Sequence, residues 1–353
     1  LIFFLFITST QAQFEFQTCI ETSRNPWEWP GHNNWFLAPG TSPSTIYHQS
    51  TGVATTVGSG TNQITGYEGI SSASNDKGEL VLFTNGRRLW DKNAIKTYDG
   101  LKEGNEGLMI NGSASQGVIT VRHPLKPYDF YIFTVDDIAN GPMEGFNYAV
   151  IDTNGQVIQN STRLGSGNTC EGITATFHAN QVDLWLTYKA YSSPDFYSYL
   201  LTCDGVDPTP VISSVGHPVV GDKARGGLAY NWDGTKLAAA FGEGWPNTSK
   251  QVILYDFDNE TGIINNPKEI AGNAGVVAAY DCIFSADNSE LYVSSYTGNF
   301  LRWDVSSNNT TVMANSFVNK KVDLTTTSVT TIYTVPTATT AVIKSILVSE
   351  DTG

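Results

Sequence analysis

The chain is poor in charge. Charged residues fill 15% of its 353 positions, well under the usual quarter of a globular protein. The deficit is one-sided: 20 lysines and arginines stand against 34 aspartates and glutamates, a formal charge of −14. That balance repels a phosphate backbone and excludes nucleic acid as the natural partner. No basic patch is present for anionic lipid. Helix-forming runs are missing as well. The one helix-tolerant stretch, 91–109, is interrupted by Gly100, Gly104 and Gly107 and reads as an inserted loop. No apolar run approaches the roughly 20 residues that a membrane-crossing helix needs. Cys19, Cys170, Cys203 and Cys282 lie far apart with no CxxC, so zinc spacing is absent. Four cysteines allow three disulfide pairings; buried free thiols are the other reading.

What is plentiful is glycine, at 33, with 16 tyrosines, 17 phenylalanines and 8 tryptophans. That is the composition of many short strands and tight turns. The stretch 67–91 shows the unit. Ile70 to Ala73 is small and apolar, and Asn75-Asp76-Lys77-Gly78 is turn chemistry. Leu80 to Thr84 is an unbroken β-prone run, as in a strand buried on both faces. Asn85-Gly86 is a hairpin signal, predicting a type I′ turn with positive φ at Gly86.

The unit recurs. Strand–turn–strand patterns centre on Asp76, on Tyr128, on Asn180, on Asp233-Gly234 and on Asp287, with gaps of about 52, 52, 53 and 54. Third strands follow at 146–152, 196–203, 251–258 and 298–305, and outer strands at 156–158, 210–213 and 267–270. A steady period of this length with four-strand content predicts an all-β protein, a β-propeller of four-stranded blades. Five blades are recognisable. A sixth is expected from Trp35-Phe36-Leu37 and the two weak strands of 44–57.

The ends read differently. Leu1 to Ile7 is apolar, and Thr10 and Ala12 are small residues before Gln13. Residues 1–12 are therefore expected to be the end of a secretory signal. Residues 13–32 form a Trp- and Pro-rich lead-in, 33–315 the propeller, and 316–353 a Thr/Ser-rich linker with a partial β-module. Signal cleavage would leave no membrane span.

Residues 33 to about 305 resemble the secreted propeller-type repeat proteins of gliding bacteria of the Bacteroidetes group. The resemblance is carried by Asn34-Trp35-Phe36, by Glu68-Gly69 and the run Asn75 to Asp91, by Ser113 to Ile119, by Tyr131 to Asp136, by Trp232 to Ala238 and by Tyr255 to Gly262. Many such proteins accompany gliding-motility adhesins and a dedicated outer-membrane secretion system. The resemblance implies a non-enzymatic, exported binding or scaffold protein of the cell surface. Its partners would be protein or glycan, with no cofactor, and no catalytic residue is carried over. The tail from Thr325 resembles instead a short β-module of phage virion proteins, which makes a virion-associated attachment protein the alternative.

Candidate chemistry is sparse. Ser74-x-Asp76-x-Gly78 and Ser285-x-Asp287-x-Ser289 resemble the structural Asp-box turns of sialidases, so a secreted glycoside hydrolase is a minor alternative. The arginines that would hold a substrate carboxylate show no blade-periodic placement. Asp256, Asp258 and Glu260 lack the glycine spacing of an EF-type calcium loop and read as a solvated turn. The histidines form no metal-ligand pair. Trp245, in the glycine-flanked loop 241–246, is the candidate binding residue. The tail generates a prediction. If 325–353 stands apart from the blades, truncation after Asn319 leaves the thermal midpoint of 13–319 close to that of 13–353. A large drop, followed by circular dichroism, would mean that the tail belongs to the blades.

Overall fold

A five-residue run with no polar alternation has to be covered on both faces, and Leu80–Thr84 is such a strand. Phe130–Thr134 goes further, with every residue buried. The computed structural model describes residues 34–37, 44–48, 53–57, 69–74, 80–93, 95–99, 114–124, 129–138, 145–152, 154–241, 251–270, 279–295, 300–306 and 315–316. Asp76, Gly78, Trp245, segments 1–12 and 13–32, and the tail from Thr325 lie outside the described residues. The chain divides into two units, Leu1–Asn315 and Ser316–Gly353; the fold below is that of the first.

The described strands form six antiparallel sheets in chain order. Blade 1 has three strands: β1 (Asn34–Leu37), β2 (Ser44–His48) and β3 (Val53–Val57). Blade 2 is β4 (Ser71–Ser74), β5 (Leu80–Thr84), β6 (Arg88–Asp91) and β7 (Lys96–Asp99). Blade 3 is β8 (Val118–Arg122), β9 (Phe130–Thr134), β10 (Phe146–Ile151) and β11 (Val157–Leu164). Blade 4 is β12 (Thr169–Phe177), β13 (Leu184–Ala190) and β14 (Asp195–Thr202), with β15 (Gly205–Val206) and β16 (Val211–Ser214) both pairing with β14. Blade 5 is β17 (Gly226–Tyr230), β18 (Lys236–Phe241), β19 (Gln251–Asp258) and β20 (Ile263–Glu269). Blade 6 is β21 (Ala279–Phe284), β22 (Glu290–Ser295), β23 (Phe300–Asp304) and the short β24 (Asn315–Ser316).

First strands neighbour one another in sequence: β1 with β4, β4 with β8, β8 with β12, β12 with β17, β17 with β21. Four-strand meanders that neighbour through their first strands make a β-propeller. The core sits between blades, because alternate residues of one strand face opposite neighbours. Phe130 and Ile132 pack with Leu82 and Leu89 of blade 2, while Tyr131 and Phe133 pack with Leu186 and Tyr188 of blade 4. Leu237, Ala239 and Phe241 face blade 4, and Ala238 and Ala240 face blade 6.

Three expectations change. The stretch 91–109 is not all loop, since β7 pairs with β6 from Arg88↔Asp99 to Trp90↔Lys96. The Asn85-Gly86 turn is not type I′. Gly86 has φ +85, but Asn85 is not in the positive region, and the last paired residues are Thr84 and Leu89. The Asn85 side chain takes over the turn instead, its Oδ1 accepting from the amides of Arg87 (3.1 Å) and Arg88 (2.8 Å). The outer strand expected at 156–158 runs to Leu164, and that expected at 267–270 begins at Ile263. Both are solvent-washed, so their polar residues carry no apolar signal.

Blades 4 and 5 approach so closely that a Cβ on Gly172 would lie 2.8 Å from the Gly226 carbonyl oxygen. Gly172→Ala is expected to lower stability by about 1–3 kcal/mol, since backbone has to move to admit the methyl group. Urea denaturation that matches the unsubstituted protein would refute this close contact.

Candidate functional site

Two groups of polar side chains stand out, one at each end of the blades. The first lies where the inner strands begin. Glu171 is fully buried in β12. Its Oε2 accepts from the Ser115 amide (2.9 Å) and hydroxyl (2.7 Å), and its Oε1 from the Ile138 amide (3.0 Å). Arg225 Nε stands 3.9 Å from Oε1. Burial pushes the Glu171 carboxyl up to about 7, against the pull of the Ser115 and Ile138 donors. Asp136, also buried, accepts from the amides of Gly145 (2.7 Å) and Thr169 (2.8 Å). Gln116 joins blades 3 and 5: its amide group donates to the Leu228 carbonyl (3.0 Å) and accepts from the Leu228 N–H (2.9 Å). Asp281 lies over Gly227, whose Cβ, if added, would sit 2.1 Å from Oδ1. Asp281 reaches solvent, yet protein crowds it enough to push its carboxyl up to about 6.

Lys189 is a second buried charge in blade 4. Its Nζ donates to the carbonyls of Ala190 (3.2 Å) and Ser193 and lies 5.4 Å from the centre of the Phe196 ring. Burial lowers its pKa to about 8. The neighbouring Cys170 thiol is pushed up to about 12 by burial. A thiol at that value is a poor nucleophile at neutral pH, and the Lys189 amine is enclosed and bonded to backbone carbonyls. Both hold the β13–β14 hairpin to its blade. Cys170 and Cys282 are free and buried, whereas Cys203 is disulfide-bonded.

The second group occupies the opposite end. In an antiparallel meander the first-to-second and third-to-fourth turns open at the same end of the sheet. In blades 4 to 6 these turns interlock. The Asn180 N–H donates to His178 Nδ1 (3.0 Å), so Nε2 carries the hydrogen and donates to the Glu260 carbonyl (3.0 Å). Trp185 Nε1 and the Ala179 amide both donate to the Asn259 carbonyl at 2.9 Å. Asn259 Nδ2 donates to the Asp233 carbonyl (3.3 Å), and a Cβ on Gly234 would lie 2.6 Å from Thr176 Oγ1. Asn288 Oδ1 accepts from the Trp232 amide (2.8 Å), and its Nδ2 donates to Asp233 Oδ2 (3.3 Å). Asp287 accepts from the Ser285 and Ser289 hydroxyls, and those bonds hold its carboxyl down at about 2.

The structure thus brings Asn180, Asp233, Gly234 and Asp287 to one face and leaves Asn85 and Gly86 at the other end of blade 2. Asp256 and Asp258 serve separate partners, Lys236 with Asn266 and Glu260 with Thr261. Sequence reasoning missed a second periodic signal. Buried Trp90, Ile151, Phe257 and Trp303 each precede an aspartate that ends a third strand or directly follows it. Asp91 Oδ1 accepts from Asn93 and Ile95 amides at 2.9 Å, and Asp152 Oδ1 from Asn154 (2.9 Å) and Gln156 (2.8 Å). Asp258 and Asp304 do the same for Glu260 (3.0 Å) and Ser306 (2.9 Å). A large apolar residue followed by aspartate was readable at those four places. Glu171 had only a weak signal, a carboxylate inside the otherwise uncharged strand 169–177.

The chain is a β-propeller by its sheet order. No protein-family model and no curated protein matches it. Solved structures similar to it include a candidate 6-phosphogluconolactonase of Bacteroides uniformis ATCC 8492, 10% identical over 80% of this chain and 81% of that one, TM-score 0.47. A second candidate 6-phosphogluconolactonase, from Bacteroides fragilis NCTC 9343, is 11% identical over 80% and 93%, TM-score 0.43. The β-propeller domain of Cps50 (Swd1) from Myceliophteria thermophila is 13% identical over 79% and 81%, TM-score 0.45.

The inner-strand carboxyls set a pH dependence. Glu171 is raised from 4.5 to about 7, so the folded protein keeps a proton that the unfolded chain releases in that window. The stability this confers is complete below pH 4.5 and is lost as pH rises through 7. Asp281 has the same sign, raised from 3.8 to about 6. The unfolding free energy should fall between pH 5 and 8 by about 1–3 kcal/mol, and the slope should flatten in Glu171→Gln. A flat or rising profile in the unsubstituted protein contradicts this account.

Proposed function

We propose that the protein is a non-enzymatic binding scaffold exported to the cell surface, where its turn face meets a protein or glycan partner. The observation that carries this reading is the use made of the buried carboxylates. Asp136 and Glu171 have both oxygens filled by N–H or O–H groups from other segments. A carboxylate bonded through both oxygens in this way joins segments of the chain and holds its backbone. The opposite face carries exposed turns locked to one another across blades, a rigid surface of the kind that loses little entropy on binding. The disulfide at Cys203 supports export, since such bonds persist outside the reducing cytosol. The resemblance to secreted propellers of gliding bacteria supports a surface role.

The test has two arms. Trypsin added to intact producing cells is expected to cleave the protein. The purified protein is expected to hydrolyse neither 6-phosphogluconolactone nor aryl glycosides above the buffer rate. Cleavage only after lysis overturns export. Turnover that disappears in Asp281→Asn overturns the non-enzymatic reading.

A further inference from the structure

The turn face carries a charge that its turns do not require. Asp91, Asp152, Asp233, Asp258, Asp287 and Asp304 each cap a turn through a side-chain oxygen. Asparagine caps such turns as well, so the negative charge is surplus to the turn wherever a single oxygen does all the capping. The antiparallel order places all six at one end of the blades. In Asp287 and Asp304 every hydrogen bond falls on Oδ1. Their Oδ2 atoms have no protein partner among the described residues.

Trp232 stands on this face and is 54% exposed, whereas Trp90, Trp185 and Trp303 are buried. Its backbone is fixed from both sides. Asn288 of the next blade accepts from its amide (2.8 Å), and Asn231 Oδ1 accepts from the amides of Thr235 (2.9 Å) and Lys236 (2.8 Å). The indole is therefore presented from a rigid turn and costs little ordering on binding. The polar groups beside it are already engaged: Asn288 and Asp233 bond each other and the backbone. The acceptor left open in the neighbouring turn is Asp287 Oδ2, a carboxylate oxygen. What remains is an aromatic face beside the carboxylates of Asp233 and of the Asp287-Asn288 turn, and both attract a cation.

We propose that Trp232 and the acidic turns around it form a docking face for a basic segment of a partner protein, with a lysine or arginine side chain seated on the indole. This deepens the scaffold reading and rests on it.

The experiment is calorimetric titration of the full chain with a hexa-arginine peptide, and separately with cellohexaose. Hexa-arginine is expected to bind, more weakly as salt is raised. Trp232→Ala should weaken that binding at least about tenfold, and Trp232→Phe should keep it within about threefold. Asp287→Asn keeps the capping oxygen and removes one charge, so it should weaken binding while the protein stays folded at the assay temperature. Glu269→Gln, at the far end of β20, should bind as the unsubstituted protein does. Equal binding by Trp232→Ala, no binding of hexa-arginine by the unsubstituted chain, or binding of cellohexaose that Trp232→Ala abolishes would each overturn the proposal. A protein cleaved by trypsin on intact cells but indifferent to hexa-arginine loses this proposal alone and leaves the scaffold reading in place.

Discussion

The rest of this structure depends on how closely the first strands of neighbouring blades approach. Between β12 and β17 the gap admits no side-chain carbon at Gly172, and the Gly226 carbonyl fills the place where one would go. Strands this close leave no room for water between them, so any polar group on them needs a protein partner. Glu171, Ser115 and Gln116 meet that demand. Ser115 donates to Glu171 and accepts from the Gly226 amide (3.2 Å), so one hydroxyl connects blades 3, 4 and 5. Further out, where the blades diverge, the spacing is filled by bulk. Aromatics occupy the seam of blades 3 and 4, with Phe133 stacked on Phe146 at 5.5 Å and Tyr188 stacked on Tyr197 at 5.3 Å.

The same geometry separates two uses of charge. Near the inner-strand starts, Glu171 is enclosed, its pKa moves toward the neutral form, and its hydrogen bonds hold backbone. At the turn face, charge stays in water, and three of its carboxyls move the other way. Asp258, Asp287 and Asp304 are all held below the ordinary carboxylate value by hydrogen bonds to the ionised form. Enclosed groups of this kind respond to pH through stability. The exposed ones act on whatever approaches the surface. Lys189 belongs to the first set, its ammonium enclosed with two carbonyls and the Phe196 ring.

Legibility followed burial. Leu80–Thr84 was readable to the residue because both of its faces are covered, and a doubly covered strand shows no polar alternation. The outer strands were not readable to the same degree. Val157–Leu164 fully buries only Leu164, so asparagine, glutamine and threonine serve there as well as valine. β7 was missed for the same reason: Thr97 is exposed, and the strand is specified by its partner β6 rather than by its own residues. The Asn85-Gly86 dipeptide marked a turn correctly, but its type depended on register. With four residues between Thr84 and Leu89, a two-residue turn does not span the gap.

The sequence by itself determined the period, and with it the blades. Hydrophobic runs and turn residues are local, and a repeat of local signals at about 53 residues survives without knowledge of the fold. It also determined the sign of the surface, since a charge of −14 is a property of composition. Only the tertiary structure decided which charges are buried and which are presented. Glu171 and Asp287 are both carboxylates near strand–turn signals. One is enclosed because its partners, Ser115 and Ile138, arrive from another blade. The other is open because its partners, Ser285 and Ser289, lie within its own turn. Whether a carboxylate meets water is set by residues distant in the chain, and no local pattern records that distance.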